Sequence, residues 1–274
     1  MNVENIESGV EFPPFHIPLK QYGADQARTV AIVVPAMGTT ASFYTPFAKE
    51  LAARGLRVLL PELPGTGASH PLPSWKVNYG YRELVEIYLP GIVATAKVVG
   101  KGAPVILIGH SLGAQAGALA VAAGSIEVDA LITIAGGNIH YRNWDGMGAA
   151  KVLLAATLFS SMTWVFGYLP GQYVGFGGPQ ARTLIREWSK IIRTGHFSHI
   201  VDESGFTGGV PMLGIGFEGD TFAPEKSVSA LAGTLNGKVK ILPMSWKGNP
   251  HSSWARNPEI TVDVIDRWLE RIGK

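Results

Sequence analysis

The sequence predicts an α/β fold in which a doubly wound, mostly parallel sheet carries an inserted helical cap. Apolar, β-branched runs alternate with helical patterns along most of the 274 residues, as is typical of a parallel sheet covered on both faces. This alternation lapses in the middle of the chain, between residues 137 and 206. Gly occupies 34 positions and charged residues make up only 16 % of the chain, against about 25 % in average domains. Such a composition indicates a large interior and many tight turns.

The first half of the chain predicts four strands and the helices between them. The run at residues 29–34 is β-branched and ends at Pro35, so it is typical of a buried strand. The helical pattern that follows ends before Gly55. Pro90 and Gly91 are expected to kink the next helix or to shift its start. Strands are predicted at 29–34, 56–60, 104–108 and 130–135, and helices at 43–54, 82–99 and 112–123.

The second half resumes the α/β pattern after an aromatic and glycine-rich segment. A strand at 211–217, a helix at 224–235, a strand at 238–242 and a helix at 259–272 are predicted. The apolar stripe of the last helix is predicted to comprise Ile260, Val264, Trp268 and Ile272. We therefore predict a core formed by residues 1–136 and 207–274, with residues 137–206 inserted as a cap over the active site.

Charge and composition exclude several classes of function and location. The net charge is +2 without a basic cluster, so no nucleic-acid partner is expected. The chain has no cysteine, which excludes thiol nucleophiles, disulfides and cysteine-based metal sites.

Residues 1–10 lack the basic stretch followed by an apolar stretch that marks a signal peptide, and a cytoplasmic location is expected. Residues 152–169 are uncharged, but Ser and Thr interrupt them, which favours a buried or pocket-covering helix over an integral membrane span.

The motif that predicts chemistry is Gly109-His110-Ser111-Leu112-Gly113, which matches G-x-S-x-G. It lies between a predicted strand and an Ala- and Gly-rich helix. A nucleophile on so sharp a turn adopts a strained backbone, and side chains two residues to either side would collide, hence the two glycines. The turn lifts the Ser111 hydroxyl above the sheet. It also brings the Leu112 N–H to the positive end of the helix, where it can stabilise an oxyanion.

These features resemble the α/β-hydrolase superfamily over nearly the whole chain, and in particular bacterial predicted hydrolases of the serine-esterase type. The shared features besides the motif are the loop at 35–38, the turn at 61–69 and the aromatic segment at 167–171. In this superfamily the nucleophile follows the central strand. The catalytic residues then come in the order Ser, Asp or Glu, and His.

The resemblance implies the partners of Ser111. His251 is the one histidine that follows the last two predicted strands, and it is the expected general base. Asp220 is the expected acid, and Glu218 in the same loop is the alternative. The family places a second oxyanion donor after the first strand, which here is the backbone N–H of Met37 in a Pro-Ala-Met-Gly loop where His-Gly is usual.

The other histidines are expected to have structural or peripheral positions. His110 is expected to orient the sharp turn that carries Ser111, the nucleophile elbow, or to pack under it. His140, His196 and His199 fall in the cap as solvent-exposed or pocket-rim residues. A metal pair formed by the last two lacks an evident third ligand, and no metal site is predicted. The two remaining histidines are expected in surface loops; they are His16 and His70.

These residues predict a serine hydrolase that cleaves a carboxylic ester or thioester through an acyl-enzyme, without a cofactor. The cap has few charges, so the partner should be a small molecule with a hydrophobic acyl or aryl group. The pocket is predicted to be lined by Met37, His140, Trp164 and Phe222.

Other enzyme classes use the same triad and stay open as alternatives; they are an acyltransferase or cyclase, a C–C bond hydrolase and a cofactor-free perhydrolase. A non-enzymatic receptor is disfavoured by the complete triad, and a homodimer is left open.

Overall fold

The computed structural model describes residues 6–206 and 209–274, and eight of its strands form one sheet. From one edge to the other the order is β1, β2, β4, β3, β5, β6, β9, β10. The first three strands pair antiparallel and the others pair in parallel, which confirms the predicted mostly parallel α/β class. These strands are β1 (Ile6–Phe12), β2 (Phe15–Tyr22), β3 (Val30–Val34), β4 (Arg57–Pro61), β5 (Val105–His110), β6 (Ala130–Ile134), β9 (Met212–Phe217) and β10 (Lys238–Leu242).

Helices cover both faces of the sheet. Alternate residues of a strand point to opposite faces, so Leu107 of β5 packs with α3 and α4 while Ile106 packs with α1 and α8. Leu107 is fully buried, and its truncation to Ala should cost about 2–5 kcal/mol. The helices are α1 (Thr45–Ala53), α2 (Tyr81–Glu83), α3 (Leu89–Gly100), α4 (Leu112–Ala122), α5 (Met147–Phe166), α6 (Arg182–Thr194), α7 (Glu225–Gly233) and α8 (Glu259–Arg271).

The helix predicted at 82–99 is interrupted. A π-helical turn, Leu84–Tyr88, separates α2 from α3, and Pro90 lies in the first turn of α3. Proline has no N–H to donate to the preceding turn, and a wider turn accommodates the missing hydrogen bond. Of the two expected effects, the shifted start therefore occurs, since α3 begins at Leu89.

The N-terminal hairpin of β1 and β2 is absent from the sequence prediction. Its signal is the alternation of Phe15, Ile17 and Leu19, which are all buried on one face of β2. His16 lies between them on the exposed face, and its N–H donates to the carbonyl of His70 at 2.8 Å. His16 is thus exposed as expected, but it belongs to a strand and not to a loop.

The predicted stripe of α8 is wrong for Ile260, which is 37 % exposed. Trp268 is buried, and Val264 and Ile272 are partly buried against the core. The buried face comprises Thr261, Val262, Ile265, Trp268 and Leu269. It is rotated relative to the prediction because the packing of α8 on the sheet and on α1, and not hydropathy alone, decides which side is covered.

Between β6 and β9 the chain leaves the sheet. It forms α5, a small two-stranded sheet of β7 (Tyr168–Pro170) and β8 (Pro179–Ala181), and then α6. The expected boundary at residue 207 lies outside the described residues. Among the described residues, α5 is the one helix long and apolar enough by composition to cross a bilayer. Only Ala156 and Thr163 of α5 are buried, so α5 is not the buried helix of the two expected alternatives. It is the pocket-covering one, since Val152, Ala155 and Phe159 line a cavity.

Candidate active site

The nucleophile elbow lies between β5 and α4. Ser111 has φ 52° and ψ −110°, a conformation that side chains seldom adopt and that marks backbone strain at a functional position. A Cβ on Gly109 would lie 2.5 Å from the backbone N of Ala114, and a Cβ on Gly113 would lie 2.5 Å from the carbonyl oxygen of Val34. No side chain fits at either position, so the crowding predicted from the motif is confirmed.

The three predicted catalytic side chains form one chain of hydrogen bonds. His251 Nε2 lies 3.1 Å from Ser111 Oγ, and His251 Nδ1 lies 2.9 Å from Asp220 Oδ2. A carboxylate only accepts, so Nδ1 carries the proton and Nε2 is free to accept the hydroxyl hydrogen of Ser111. The Asp220 side chain is fully buried and that of His251 is 15 % exposed. This is the geometry that general-base activation of a serine requires.

The loop after β9 holds Asp220 in place. Its second oxygen, Oδ1, accepts the backbone N–H groups of Phe222 at 2.8 Å and Ala223 at 3.1 Å. α7 begins only later, with Pro224 as its N-cap, so Asp220 shapes the loop and does not cap the helix. Glu218 lines the same cavity, but within the described residues it makes no hydrogen bond to His251. The structure therefore pairs the imidazole with Asp220.

Two backbone amides near Ser111 are the expected oxyanion donors. Leu112 is the first residue of α4, so its N–H has no partner in the helix and lies at the positive end of the helix dipole. Met37 follows β3, and its neighbour Ala36 already donates to the Tyr44 hydroxyl at 2.9 Å. Within the described part of the chain, neither the Met37 nor the Leu112 N–H has an acceptor. Both amides are available to a ligand.

A buried histidine supports the elbow. His110 Nε2 lies 2.8 Å from the carbonyl oxygen of His251, and His110 Nδ1 lies 2.6 Å from the Tyr44 hydroxyl. Burial, together with the neighbouring His251, lowers the pKa of His110 well below its ordinary value. His110 is therefore neutral at pH 7 and packs under the elbow, as predicted. The contribution of Tyr44 was not predicted, because Tyr44 lies far from the motif along the chain and no local pattern connects the two.

A cavity of about 1160 Å³ opens at Ser111 and His251. Its apolar wall comes from the inserted segment, where the rings of Phe159, Phe176 and Trp188 lie 5.2 to 6.1 Å apart. Charged and polar side chains also line it; they are Asp145, Lys151, Glu218, Thr221, Glu225 and Asn249. The cavity thus combines an apolar wall with a polar one.

Two of the four predicted pocket residues line this cavity. Met37 does, and so does Phe222, whose ring lies 5.3 Å from that of His251. The prediction is wrong for His140, which is not among the lining residues and whose ring lies 4.8 Å from that of Tyr141. It is also wrong for Trp164, which is 70 % exposed on the outer side of α5. Helical spacing alone did not show which face of α5 turns inward.

The remaining cap histidines do not line the cavity. His199 Nε2 lies 3.3 Å from the carbonyl of Glu187, and His196 lies 3.5 Å from a Glu203 carboxylate oxygen. Among residues 6–206 and 209–274, no group of three His, Asp or Glu side chains is arranged to hold a metal ion.

Comparisons with known proteins give a family and a fold. The model of the "Alpha/beta hydrolase family" matches residues 31–272. No curated protein matches the sequence. A soluble variant of monoglyceride lipase from Saccharomyces cerevisiae superposes with a TM-score of 0.74 at 13 % identity, covering 99 % of this chain and 96 % of that one.

Two further solved structures are similar over most of their length. A putative lipase from Acinetobacter baumannii AYE has a TM-score of 0.67 at 16 % identity and covers 98 % of this chain and 92 % of its own. A thioesterase domain from the curacin biosynthetic pathway has a TM-score of 0.56 at 18 % identity, covering 94 % and 99 %. At these identities the likeness establishes the shared fold.

Proposed function

This chain belongs to the alpha/beta hydrolase family, and on that premise we propose that it is a serine hydrolase of carboxylic esters or thioesters with a hydrophobic acyl or aryl group. One observation carries the proposal: the continuous hydrogen-bonded chain from Ser111 through His251 to Asp220, at the edge of a partly apolar cavity. Structural neighbours that are lipases, esterases or thioesterases by name support activity on esters.

The proposed reaction has two stages. As Ser111 Oγ bonds to the carbonyl carbon, its proton passes to His251 Nε2, and the new oxyanion accepts hydrogen bonds from the Met37 and Leu112 amides. The bond to the alcohol or thiol then breaks, and that group leaves with the proton from His251. The acyl group stays on Ser111 as an ester.

Water completes the cycle. His251 takes a proton from the water as its oxygen attacks the acyl carbon, and Ser111 Oγ leaves with that proton while the acid is released. The Asp220 carboxylate stabilises the imidazolium that forms at each stage. An acyl acceptor other than water, as in an acyltransferase, would use the same residues and differ only in this second stage.

The direct test is covalent labelling. A fluorophosphonate probe should label the wild-type protein at Ser111 and should not label Ser111→Ala. In parallel, hydrolysis of p-nitrophenyl esters from acetate to decanoate should depend on Ser111 and should favour acyl chains longer than acetyl. A wild type that is folded yet neither labels nor hydrolyses any of these esters would contradict the proposal.

The fate of the acyl group decides between hydrolysis and transfer. With the same esters, release of free acid at the rate of nitrophenol release is expected for a hydrolase. A product ester or thioester that forms in the presence of an added alcohol or thiol, in excess of free acid, would instead favour an acyltransferase.

A further inference from the structure

The outer face of α5 is apolar and exposed. Met147, Leu154, Leu158 and Val165 recur at intervals of four or seven positions, so they share one side of the helix, and Trp164 lies at the edge of that side. Met147 is 77 % exposed, Leu154 58 %, Leu158 52 %, Trp164 70 % and Val165 69 %. We call these five residues the outer α5 face.

The inner side of the same helix already has an explanation. Val152, Ala155 and Phe159 line the cavity beside the candidate catalytic residues, so their apolar character suits a hydrophobic substrate. The outer α5 face contacts no such space. Soluble monomers seldom expose a large contiguous apolar surface unless it binds something. A partner for the outer α5 face is therefore required by its composition.

Three cations border this face along its whole length. Lys151 is exposed on α5 at the edge between the outer α5 face and the mouth of the cavity that it also lines. Arg193 of α6 reaches across to Thr157, with 3.2 Å between its Nη2 and the hydroxyl oxygen. The guanidinium of Arg186, also of α6, lies 3.9 Å above the ring centre of Trp164.

These cations are uncompensated. Within the described residues none of them forms an ion pair, and α5 itself contains no acidic residue. The carboxylate of Asp145, just before α5, is bound at 2.6 Å by Lys226. The surface is therefore apolar at its centre and positive at its border.

From this combination we propose that the outer α5 face docks peripherally on the surface of an anionic lipid bilayer. An apolar helix face inserts at the level of the headgroups while bordering Lys and Arg side chains bind anionic lipids. Trp164 lies beneath the guanidinium of Arg186, and this pair suits the depth of the headgroups. There an amphipathic ring has one side in hydrocarbon and the other in water.

The alternative occupants fit less well. In a two-fold dimer the same patch meets its own copy, so the three cations would face three more without a carboxylate between them. A transmembrane orientation would strip α5 from α6 and from the cavity and would draw Lys151 into hydrocarbon. Peripheral docking keeps the fold intact, and it would hold the cavity-lining helix where apolar esters are most concentrated.

The absence of cysteine from this chain allows a direct test. Leu158→Cys carries an environment-sensitive NBD label, and Val98→Cys, a 76 % exposed position on α3, serves as the matched control. On vesicles of equimolar phosphatidylcholine and phosphatidylserine, the label at position 158 should brighten and shift to the blue, and the label at position 98 should not. Phosphatidylcholine vesicles, or high salt, should weaken the response because screening removes the ionic attraction.

The cations provide the second arm. Lys151→Gln and Arg193→Gln should each weaken vesicle partitioning by about fivefold, whereas Arg267→Gln on α8 should leave it unchanged. Circular dichroism verifies that each labelled chain is folded, and Leu154→Cys replaces the first label if Leu158→Cys is not. The assay contains no substrate, so its result is independent of the proposed esterase activity.

Three outcomes would overturn the proposal. They are an unchanged label at position 158 on anionic vesicles, an equal response at position 98, and an equal response on neutral vesicles. A dimer in size-exclusion chromatography that Leu158→Cys dissociates, without vesicle binding by the wild type, would assign the face to a second copy of the chain and likewise overturn it.

Discussion

His110 donates a hydrogen bond from Nε2 to the backbone carbonyl of His251, 2.8 Å away, so the residue before the nucleophile holds the loop that carries the base. Because a carbonyl only accepts, His110 Nδ1 must accept from the Tyr44 hydroxyl. That hydroxyl in turn accepts the N–H of Ala36, next to the expected oxyanion donor. One buried network therefore connects the nucleophile elbow, the base and the loop of Ala36 and Met37, which we call the oxyanion loop.

The first prediction concerns the hydroxyl at the centre of this network. Tyr44→Phe leaves the Ala36 N–H and His110 Nδ1 without partners, so unfolding free energy should fall by about 1–3 kcal/mol. If the network positions the catalytic groups, kcat should also fall by roughly tenfold, about 1.4 kcal/mol of barrier, with KM little changed. Urea unfolding and p-nitrophenyl ester kinetics measure the two effects.

A buried tyrosine elsewhere provides the control. The Tyr22 hydroxyl lies 3.3 Å from Thr45 Oγ1, outside the network. Tyr22→Phe should lower stability without changing kcat. If both variants keep the wild-type kcat, the network is only structural.

The second prediction separates the two carboxylates of the loop after β9. Asp220→Asn should lower kcat by about 10⁴-fold, because an amide no longer stabilises the imidazolium or enforces its tautomer. Glu218→Gln should keep nearly all activity, since Glu218 lines the cavity without bonding His251. The reverse ranking in ester hydrolysis would show that Glu218 is the acid.

The third prediction tests a main-chain contact between cap and core. A Cβ on Gly177 would overlap the carbonyl oxygen of Gly38, and a Cβ on Gly38 would overlap that of Phe176. Gly177→Ala should therefore displace the oxyanion loop and lower kcat by up to about 10²-fold, as small displacements in active sites do. Gly175→Ala is the matched control, because Gly175 has a similar positive φ but open space around it. Equal losses in the two variants would attribute the effect to backbone strain alone.

The sequence predicted the candidate catalytic residues better than the pocket. Ser111 lies in a local motif, and chain order after each strand leads to Asp220 and His251, since parallel strands end at the same edge of the sheet. No such rule orients a cap helix whose apolar residues are spread around its whole circumference. Trp164 was therefore expected in the cavity, where Phe159 lies, and tertiary packing alone distinguishes the two faces.

The N-terminal hairpin and the Tyr44 network were not predicted from the sequence, for a related reason. Each depends on contacts between distant segments, such as His16 with His70 and Tyr44 with His110, and neither pair leaves a periodic signal in the sequence. Alternation in β2 was visible, but a single short strand at a chain end is easily overlooked without its partner.

The fourth prediction concerns acyl-chain length. Ala155 lines the cavity on the inner side of α5, one turn before Phe159. Ala155→Phe should fill the apolar part of the cavity, so kcat/KM for decanoate should fall by about tenfold or more while that for acetate changes little. Ala150→Phe, on the exposed side of the same helix, should leave both unchanged. Equal losses for both esters with Ala155→Phe would indicate that the acyl chain lies elsewhere.

The last prediction follows from a carboxyl that joins the cap to the core. Glu187 of α6 accepts the N–H of Tyr81 at the start of α2, at 2.7 Å, and burial raises the pKa of Glu187 from 4.5 to about 7. Between these two pH values the folded chain retains a proton that the unfolded chain has released. Stability contributed by this proton is fully present below pH 4.5 and is lost as pH rises through 7.

Glu187→Gln should remove this dependence, because an amide keeps an acceptor for Tyr81 but does not ionise. When pH rises from 5 to 8, the Tm of the variant should increase by a few degrees relative to the Tm of the wild type. For a chain of this length, 1 kcal/mol of stability corresponds to roughly 2–4 °C in Tm. Glu270→Gln, an exposed carboxylate on α8, controls for the change in net charge. Parallel Tm–pH curves for Glu187→Gln and wild type would mean that Glu187 does not hold its proton in the folded chain, and the link between cap and core would then be insensitive to pH.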